Sequence, residues 1–562
     1  MIADNALIAD QLSLLAKLTD IHGGNSFKSK AYAAAAFTIE RLPQQLADIP
    51  AEKMASIKGI GDSVAKKVKE IFEGGEIIAL TELIQKTPPG IMQMLNIKGI
   101  GPKKITVIWK EMGIESIGEL LYACNENRLT LYKGFGEKTQ KSIQGSIEYF
   151  LNNIGSYLYA QAEDLANNLD AALKKNFPEY TFLGTGIFRR QLETIDKLEW
   201  VTNAPVAALQ LYLTENNFVT EKLDTEESVF QGKDENILLH FYHATQETLY
   251  YKLFTTSCSE AFLNDWNERK LFKSSITYFS EEEIFAEAKL PFIPPFLRET
   301  STVIDKAFQN NLPDVIQTKD IKAIIHSHSK WSDGNNTIEE MAKAAMALGL
   351  EYLVISDHSK TAVYANGLTE ERLKAQHAEV DELNEKLKPF KIFKSIESDI
   401  LNDGSLDYSD EVLACFDIVI ASVHSNLKMN EEKAMMRLLN AVQNPFTSIL
   451  GHCTGRLLLS RAGYPVDHKK LIDACAAHNV VIELNAHPRR LDLDWRFVDY
   501  CIEKNVLISI DPDAHSTNGF HHIKYGVLAA QKAGLTAMQN LSSYSLSQFE
   551  AFVKTQQAKR NI

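Results

Sequence analysis

The chain has 562 residues, 45% of them hydrophobic, and its 59 Lys and Arg against 73 Asp and Glu give a formal net charge of −14. That length suits three or four domains with cores of their own, and that charge excludes holding nucleic acid through a general basic field. No apolar run is long enough to span a bilayer, and the acidic start MIADNALIAD lacks the basic segment of a signal peptide. The cysteines, Cys124, Cys258, Cys415, Cys453, Cys475 and Cys501, are scattered without a Cys-x-x-Cys pair. They predict reduced thiols in a cytoplasmic protein and argue against a zinc ribbon or disulfide frame.

Residues 1–150 carry 18 Lys and Arg against 17 Asp and Glu, so the negative charge lies almost wholly beyond them. Ala, Leu, Lys and Glu dominate without β-branched alternation, which predicts helices throughout. A repeat stands out. Ile57-Lys58-Gly59-Ile60-Gly61 precedes one helical run, Ile97-Lys98-Gly99-Ile100-Gly101 precedes another, and Tyr132-Lys133-Gly134-Phe135-Gly136 is a looser third copy. Paired glycines allow a tight turn into a helix whose unpaired N–H groups can hold a phosphate. Lys66, Lys67, Lys103 and Lys104 in the next turn add charge without reading bases.

These segments resemble helix-hairpin-helix units, which implies DNA backbone binding by Gly59, Gly61, Lys66, Lys67, Gly99, Gly101, Lys103 and Lys104 without sequence preference. Residues 20–42 resemble the start of the N-terminal domain of family X DNA polymerases. There Lys67 falls at the Schiff-base lysine of the lyase members, although a solvated lysine touching phosphate is the favoured reading.

Residues 151–315 shift to mixed α/β patterning. The run Phe182 to Arg190, followed by Glu193 to Glu199, is similar to the family X palm, in which a Gly-Ser turn, an Arg-Arg pair and an Asp-x-Asp strand occur in that order. Pro291 to Glu299 looks like the segment that closes this region in bacterial members with a C-terminal nuclease domain. The resemblance implies a nucleotidyltransferase-like palm. However, Ile187 stands at the serine, Lys197 and Glu199 at the Asp-x-Asp, and His240 at the third carboxylate. Two-metal nucleotidyl transfer needs clustered carboxylates, so polymerase activity is expected to be absent.

From residue 316, seven apolar strands alternate with helical runs: Lys322–Ile325, Tyr352–Ile355, Ile392–Ile396, Asp417–Val423, Thr447–Leu450, Val480–Leu484 and Val506–Ile510. Such alternation predicts parallel βα units. The strand ends carry, in turn, His326 and His328; His358; Glu397; His424; His452; Asn485; and Asp513 with His515. Histidines two apart on a strand end point to one side, and imidazoles gathered with carboxylates suit divalent metals. In the first crossover helix Met341, Ala345, Met346 and Leu348 form the predicted apolar stripe, while the polar tail Gln556 to Ile562 is expected to fray.

The segments HSHSKWSDG, ISDHS, IESDI, ASVHS, GHCTGR and DAHS look like the PHP (polymerase and histidinol phosphatase) domain, and RLDLDW before DAHS like its version in bacterial family X polymerases. The resemblance implies a distorted (β/α)7 barrel holding up to three divalent ions, manganese or zinc. His326, His328, Asp333, His358, Glu397, His424, His452, Asp513 and His515 would be the ligands, with His326, His328, Glu397 and Asp513 at the centre of catalysis. Such ions lower the pKa of a water to give a phosphorus-attacking hydroxide. Arg456 is the first candidate to grip a substrate phosphate, with Lys330 and Arg489 behind it. Cys453 reads as a buried neutral thiol, and His487 replaces a usual asparagine.

The resulting expectation is a DNA-repair nuclease. It would act as a 3'→5' exonuclease, with abasic-site cleavage and 3'-phosphate removal as related activities. A small-molecule phosphoesterase of the histidinol-phosphatase kind and a residual family X polymerase are the alternatives.

Overall fold

In the computed structural model, which describes residues 4–560 apart from 43, 126–127, 153–154, 233–236, 273–276 and 460–461, the chain separates into two compact units, Met1–Ile154 and Gly155–Ile562. The first is helical throughout its described residues, as the composition predicts. Its core gathers Leu12, Leu15, Ile39, Val68, Ile91, Ile105, Ile108 and Ile143. All three glycine turns form alike. Gly59, Gly99 and Gly134 take φ of 94°, 89° and 95°, and the N–H of the next residue donates back three positions, to Ile57, Ile97 and Tyr132. A side chain at such φ would be strained, which explains the glycines.

The second unit opens with a central α/β region. Strands β1 (Tyr157–Leu158) and β3 (Thr194–Ile195) pair on their own. Strands β2 (Phe182–Thr185), β4 (Lys197–Thr202), β5 (Phe218–Leu223), β6 (Glu227–Gly232) and β7 (Leu238–His243) form a sheet in the order β2-β4-β7-β6-β5. Only β4 and β7 are parallel, and Glu199 lies beside His240. A neighbouring aromatic core of Phe254, Phe262, Trp266 and Phe285 surrounds the wholly buried Arg298.

All seven predicted barrel strands are present: β8 (Ala323–Ile324), β9 (Tyr352–Ile355), β10 (Lys391–Asp399), β11 (Ile418–Ser422), β12 (Ile449–Leu450), β13 (Val481–Asn485) and β14 (Ile508–Asp511). They form one parallel sheet in sequence order. Just past the strand ends, Ser327 bridges to Ala514, and the His328 N–H donates to the Ala514 carbonyl at 2.8 Å. The sheet is thus nearly closed, and the two ends of the chain's ligand-rich segments are brought together.

Ala323, Ile325, Tyr352, Val354, Phe393, Ile418, Ile420, Ile449 and Val481 pack with Phe549 and Val553 of the last helix, Leu546–Ala558. This corrects two expectations. The tail does not fray through its described part: Gln556 and Arg560 are buried, and their side chains donate to the carbonyls of Asn479 and Phe416, which precede strands. Asn561 and Ile562 lie outside the described residues. In the crossover helix Ile338–Ala347, Met341 and Ala345 are buried as expected, but Met346 and Leu348 are exposed and Ile338 and Ala342 take the inner face.

The last helix therefore plugs the end of the barrel where strands begin and leaves the other end for polar chemistry. Phe549 stacks on Tyr352 at 4.6 Å between ring centres. Phe549→Ala is predicted to cost about 3–5 kcal/mol, read by urea unfolding of the full chain. A loss below about 1 kcal/mol would contradict the plug.

Candidate metal centre at the barrel mouth

Side chains two apart on a strand share a face, so each strand that ends at the mouth delivers its polar residues inward. The Glu397 carboxylate from β10 is the hub. His452 Nε2 lies 2.9 Å, His424 Nε2 3.0 Å and His326 Nε2 3.4 Å from its Oε1. His358 Nδ1 and His328 Nε2 lie 3.0 and 3.7 Å from its Oε2. His328 Nε2 is 3.2 Å from Asp513 Oδ1, and His515 Nε2 is 3.3 Å from Asp333 Oδ2. The structure thus brings together all nine residues singled out from the sequence. His326, His328, Glu397 and His452 are almost wholly buried, while Asp333 stands exposed at the rim.

The electrostatics fit a cation site. Burial pushes the His326 imidazole down, but the Glu483, Glu397 and Asp513 carboxylates outweigh it and hold its pKa well above the ordinary value. Despite burial, Glu397 raises His424 to about 10, with Asp399 adding to it, and hydrogen bonding to Asp333 raises His515 to about 9. Against the opposing pull of burial, the imidazoles hold Glu397 and Asp513 well below the usual carboxylate range. Burial and the His515 and His358 imidazoles push His328 down to about 3. Protons on imidazoles compensate the buried carboxylates here, and a cation does the same work. Among the described residues, His326 Nε2, His328 Nδ1, His452 Nδ1 and Glu397 Oε2 are buried without a hydrogen-bond partner. Three overlapping groups can each hold an ion: His328, Asp333, His358 and His515; His326, His328 and Asp513; and His358, Glu397 and His424.

Sequence reasoning missed the residues behind the ring. Glu483 accepts from His326 Nδ1 at 2.7 Å, and Asp399 accepts from His424 Nδ1, so both imidazoles turn Nε2 inward. Asn485 Nδ2 donates to Asp513 Oδ2 at 3.2 Å. Asp357 faces away and accepts from the Ser329 N–H and hydroxyl at 2.8 and 2.7 Å, which pins the loop carrying Asp333. The signal was spacing: Asp399 is two residues after Glu397 and Glu483 two before Asn485, on the same strand faces. Cys453 is buried and neutral, its thiol pushed well above 9 by burial and by Asp492.

The structure gives Arg456 other partners than the substrate phosphate expected of it. Its guanidinium meets Glu193 and Asp494 at 2.7 Å each and donates to the carbonyls of Arg490 and Leu491. Lys330 and Arg489 are exposed. The guanidinium that faces the cluster belongs instead to half-buried Arg490, whose Nε is 3.5 Å from Asp513 Oδ2. Which way a loop residue turns after a strand end has no periodic signal, so neighbouring arginines could not be told apart.

In the central region Glu199 is fully engaged. Its carboxylate pairs with Lys197 at 2.8 Å and accepts from the Tyr242 hydroxyl at 2.9 Å and the Ile187 N–H at 3.1 Å. His240 pairs with Glu227 at 2.8 Å. Arg189 and Arg190 pair with Glu281 and Glu299 at 2.5 and 2.9 Å. Among the expected backbone-gripping lysines, Lys66 and Lys103 are exposed, Lys67 pairs with Glu70 at 2.6 Å, and Lys104 donates back to the Gly99 carbonyl at 2.9 Å. Gly61 and Gly101 cap the helices that follow them.

Known domains match these parts. A helix-hairpin-helix domain matches residues 3–77, a SAM-like helix-hairpin-helix tandem residues 91–145, and a PHP domain residues 325–487. The fold and the site therefore define a helix-hairpin-helix protein with a PHP barrel. The chain is 33% identical over 97% of its length to the DNA polymerase/3'-5' exonuclease PolX of Bacillus subtilis (strain 168), and covers 98% of that relative. A probable phosphatase of Thermoanaerobacter sp. (strain X514) is 26% identical over 38% of the chain and 89% of its own length. Another, of Acetivibrio thermocellus, is 30% identical over 29% of the chain and 64% of its own. The chain belongs to the bacterial PolX family.

If Asp399 sets the His424 imidazole, Asp399→Asn should weaken Mn2+ binding about 10–100-fold, measured by titration calorimetry. Unchanged affinity would show that His424 holds no ion.

Proposed function

We propose that this chain is a metal-dependent DNA nuclease of DNA repair, with its chemistry at the barrel mouth and its grip on DNA in the glycine-turn hairpins. The observation that carries this is the gathering of nine ligand-type side chains at the barrel mouth, buried Glu397 among them, in one chain with three alike hairpin turns. The reading divides the chain near residues 150 and 315 into a DNA-binding, a palm-like and a catalytic part. His326, His328, Asp333, His358, Glu397, His424, His452, Asp513 and His515 would hold up to three divalent ions, Mn2+ or Zn2+. Bound there, such ions supply Lewis acidity and a hydroxide at neutral pH.

The chain's own groups do the rest. Glu483 and Asp399 hold His326 and His424 with Nε2 turned to Glu397. Arg490 takes a non-bridging oxygen of the scissile phosphate, for which its fork geometry suits it. The hairpins offer helix N-termini and exposed Lys66 and Lys103 to neighbouring phosphates. The PolX relative's 3'-5' exonuclease name supports that polarity. The phosphatase relatives support hydrolysis of 3'-phosphates by the same site, and abasic-site cleavage needs no further chemistry.

The central region is read as a palm that does not polymerise. Clustered carboxylates are needed for two ions, and of Lys197, Glu199 and His240 only Glu199 is acidic and already neutralised by Lys197.

With Mn2+, the full-length chain is predicted to shorten an end-labelled oligonucleotide stepwise from its 3' end. EDTA should abolish this, and His326→Ala/His328→Ala should lower it at least about 100-fold. No nucleotide should be added to a primed template. Phosphate release from histidinol phosphate without DNA cleavage would replace the nuclease with a small-molecule phosphoesterase, and primer extension would restore the polymerase.

A further inference from the structure

Arg456 follows His452 in the barrel, yet one of its anchors comes from the central region. Glu193 lies just before β3, is 7% exposed, and takes Arg456 Nη2 on Oε1 at 2.7 Å. Its Oε2 faces Arg496 at 3.5 Å, and Arg496 shares Asp494 with Arg456. Nearby, buried Lys532 donates to the Gln191 carbonyl at 2.7 Å. The central region is thus tied to the barrel at Lys532 and, through Glu193, at Arg456 and Arg496, the last of which stands at the end of the loop that follows β13.

That loop carries Arg490. Arg456 Nε donates to the Arg490 carbonyl at 3.0 Å, and Nη2 donates to the Leu491 carbonyl. Leu491 sits at φ 43°, a left-handed conformation that a leucine keeps only when its surroundings hold it. Directly before it, Arg490 reaches Asp513. One half-buried guanidinium therefore sets the backbone under the arginine at the mouth, and two carboxylates set that guanidinium. Of the two carboxylates, Asp494 alone would hold it without Glu193.

We propose that Glu193 is a positioning residue for the reaction: through Arg456 it fixes the Arg490–Leu491 backbone so that Arg490 stays over the Asp513 side of the cluster. This rests on the barrel mouth being the phosphoesterase site. It gives the central region a task that needs no nucleotidyl transfer.

The test uses full-length Glu193→Ala, the near-isosteric Glu193→Gln, Arg490→Ala and the Glu193→Ala/Arg490→Ala double variant. Steady-state cleavage of an end-labelled oligonucleotide is measured at saturating Mn2+, with Mn2+ affinity and melting temperature alongside. Glu193→Ala should lower kcat about ten- to a hundredfold, with KM for DNA and Mn2+ affinity within about twofold. Glu193→Gln, which keeps a neutral acceptor, should fall between it and wild type. In the Arg490→Ala background, Glu193→Ala should cost nothing further, since both act on one step. Wild-type kcat in both Glu193 variants, losses that multiply in the double variant, or a parallel loss of Mn2+ affinity would overturn the proposal while the nuclease reading stands. A wild-type chain that leaves DNA intact would sink that reading, and this inference with it.

Discussion

A carboxylate that is almost wholly buried, as Glu397 is, cannot stay ionised unless positive charge or donors surround it. In this chain five imidazoles from four strand ends meet it within 3.7 Å. Parallel strands, all ending on one side, deliver side chains from positions over a hundred residues apart to a single point. The apolar interior below and the last helix at the far end make that geometry rigid. The mouth can then hold a charge arrangement that would be costly anywhere else in the molecule.

Much of this was legible in the sequence because it follows period two and period forty. Histidine pairs and carboxylates at the ends of alternating strands marked the ring, and the repeated glycines marked the hairpins. The polar support of the ring obeyed the same spacing, in Asp399 and Glu483, but an acid beside a ligand looks like any acid until its partner is seen. The arginines on the loops escaped: Arg456 and Arg490 both follow a strand end, and only the folded chain shows that one supports the backbone of the other. Gln556 and Arg560 read as a solvated tail because composition cannot register that carbonyls before the strands need donors. Met346 and Leu348 had the right spacing, but the helix ends at Ala347 and both side chains stand exposed.

The central region is bound both to itself and to the barrel by buried charge. Gly186, at φ 67°, lies so close to Glu199 that a Cβ there would overlap the carboxylate. The turn and the strand are fitted to each other, and Lys197 answers the charge of Glu199. The same region lends buried Glu193 to an ion-pair network shared with the barrel, where that carboxylate left unmatched would be destabilising.

The most direct measurement is anomalous diffraction at the manganese absorption edge from a crystal of the full chain grown with Mn2+. Peaks are predicted between Glu397 and the surrounding imidazoles, with the His326 and His424 Nε2 atoms turned toward them. A manganese-bound crystal with no peak at the barrel mouth, or with those imidazoles turned away from one another around an empty centre, would contradict the central claim.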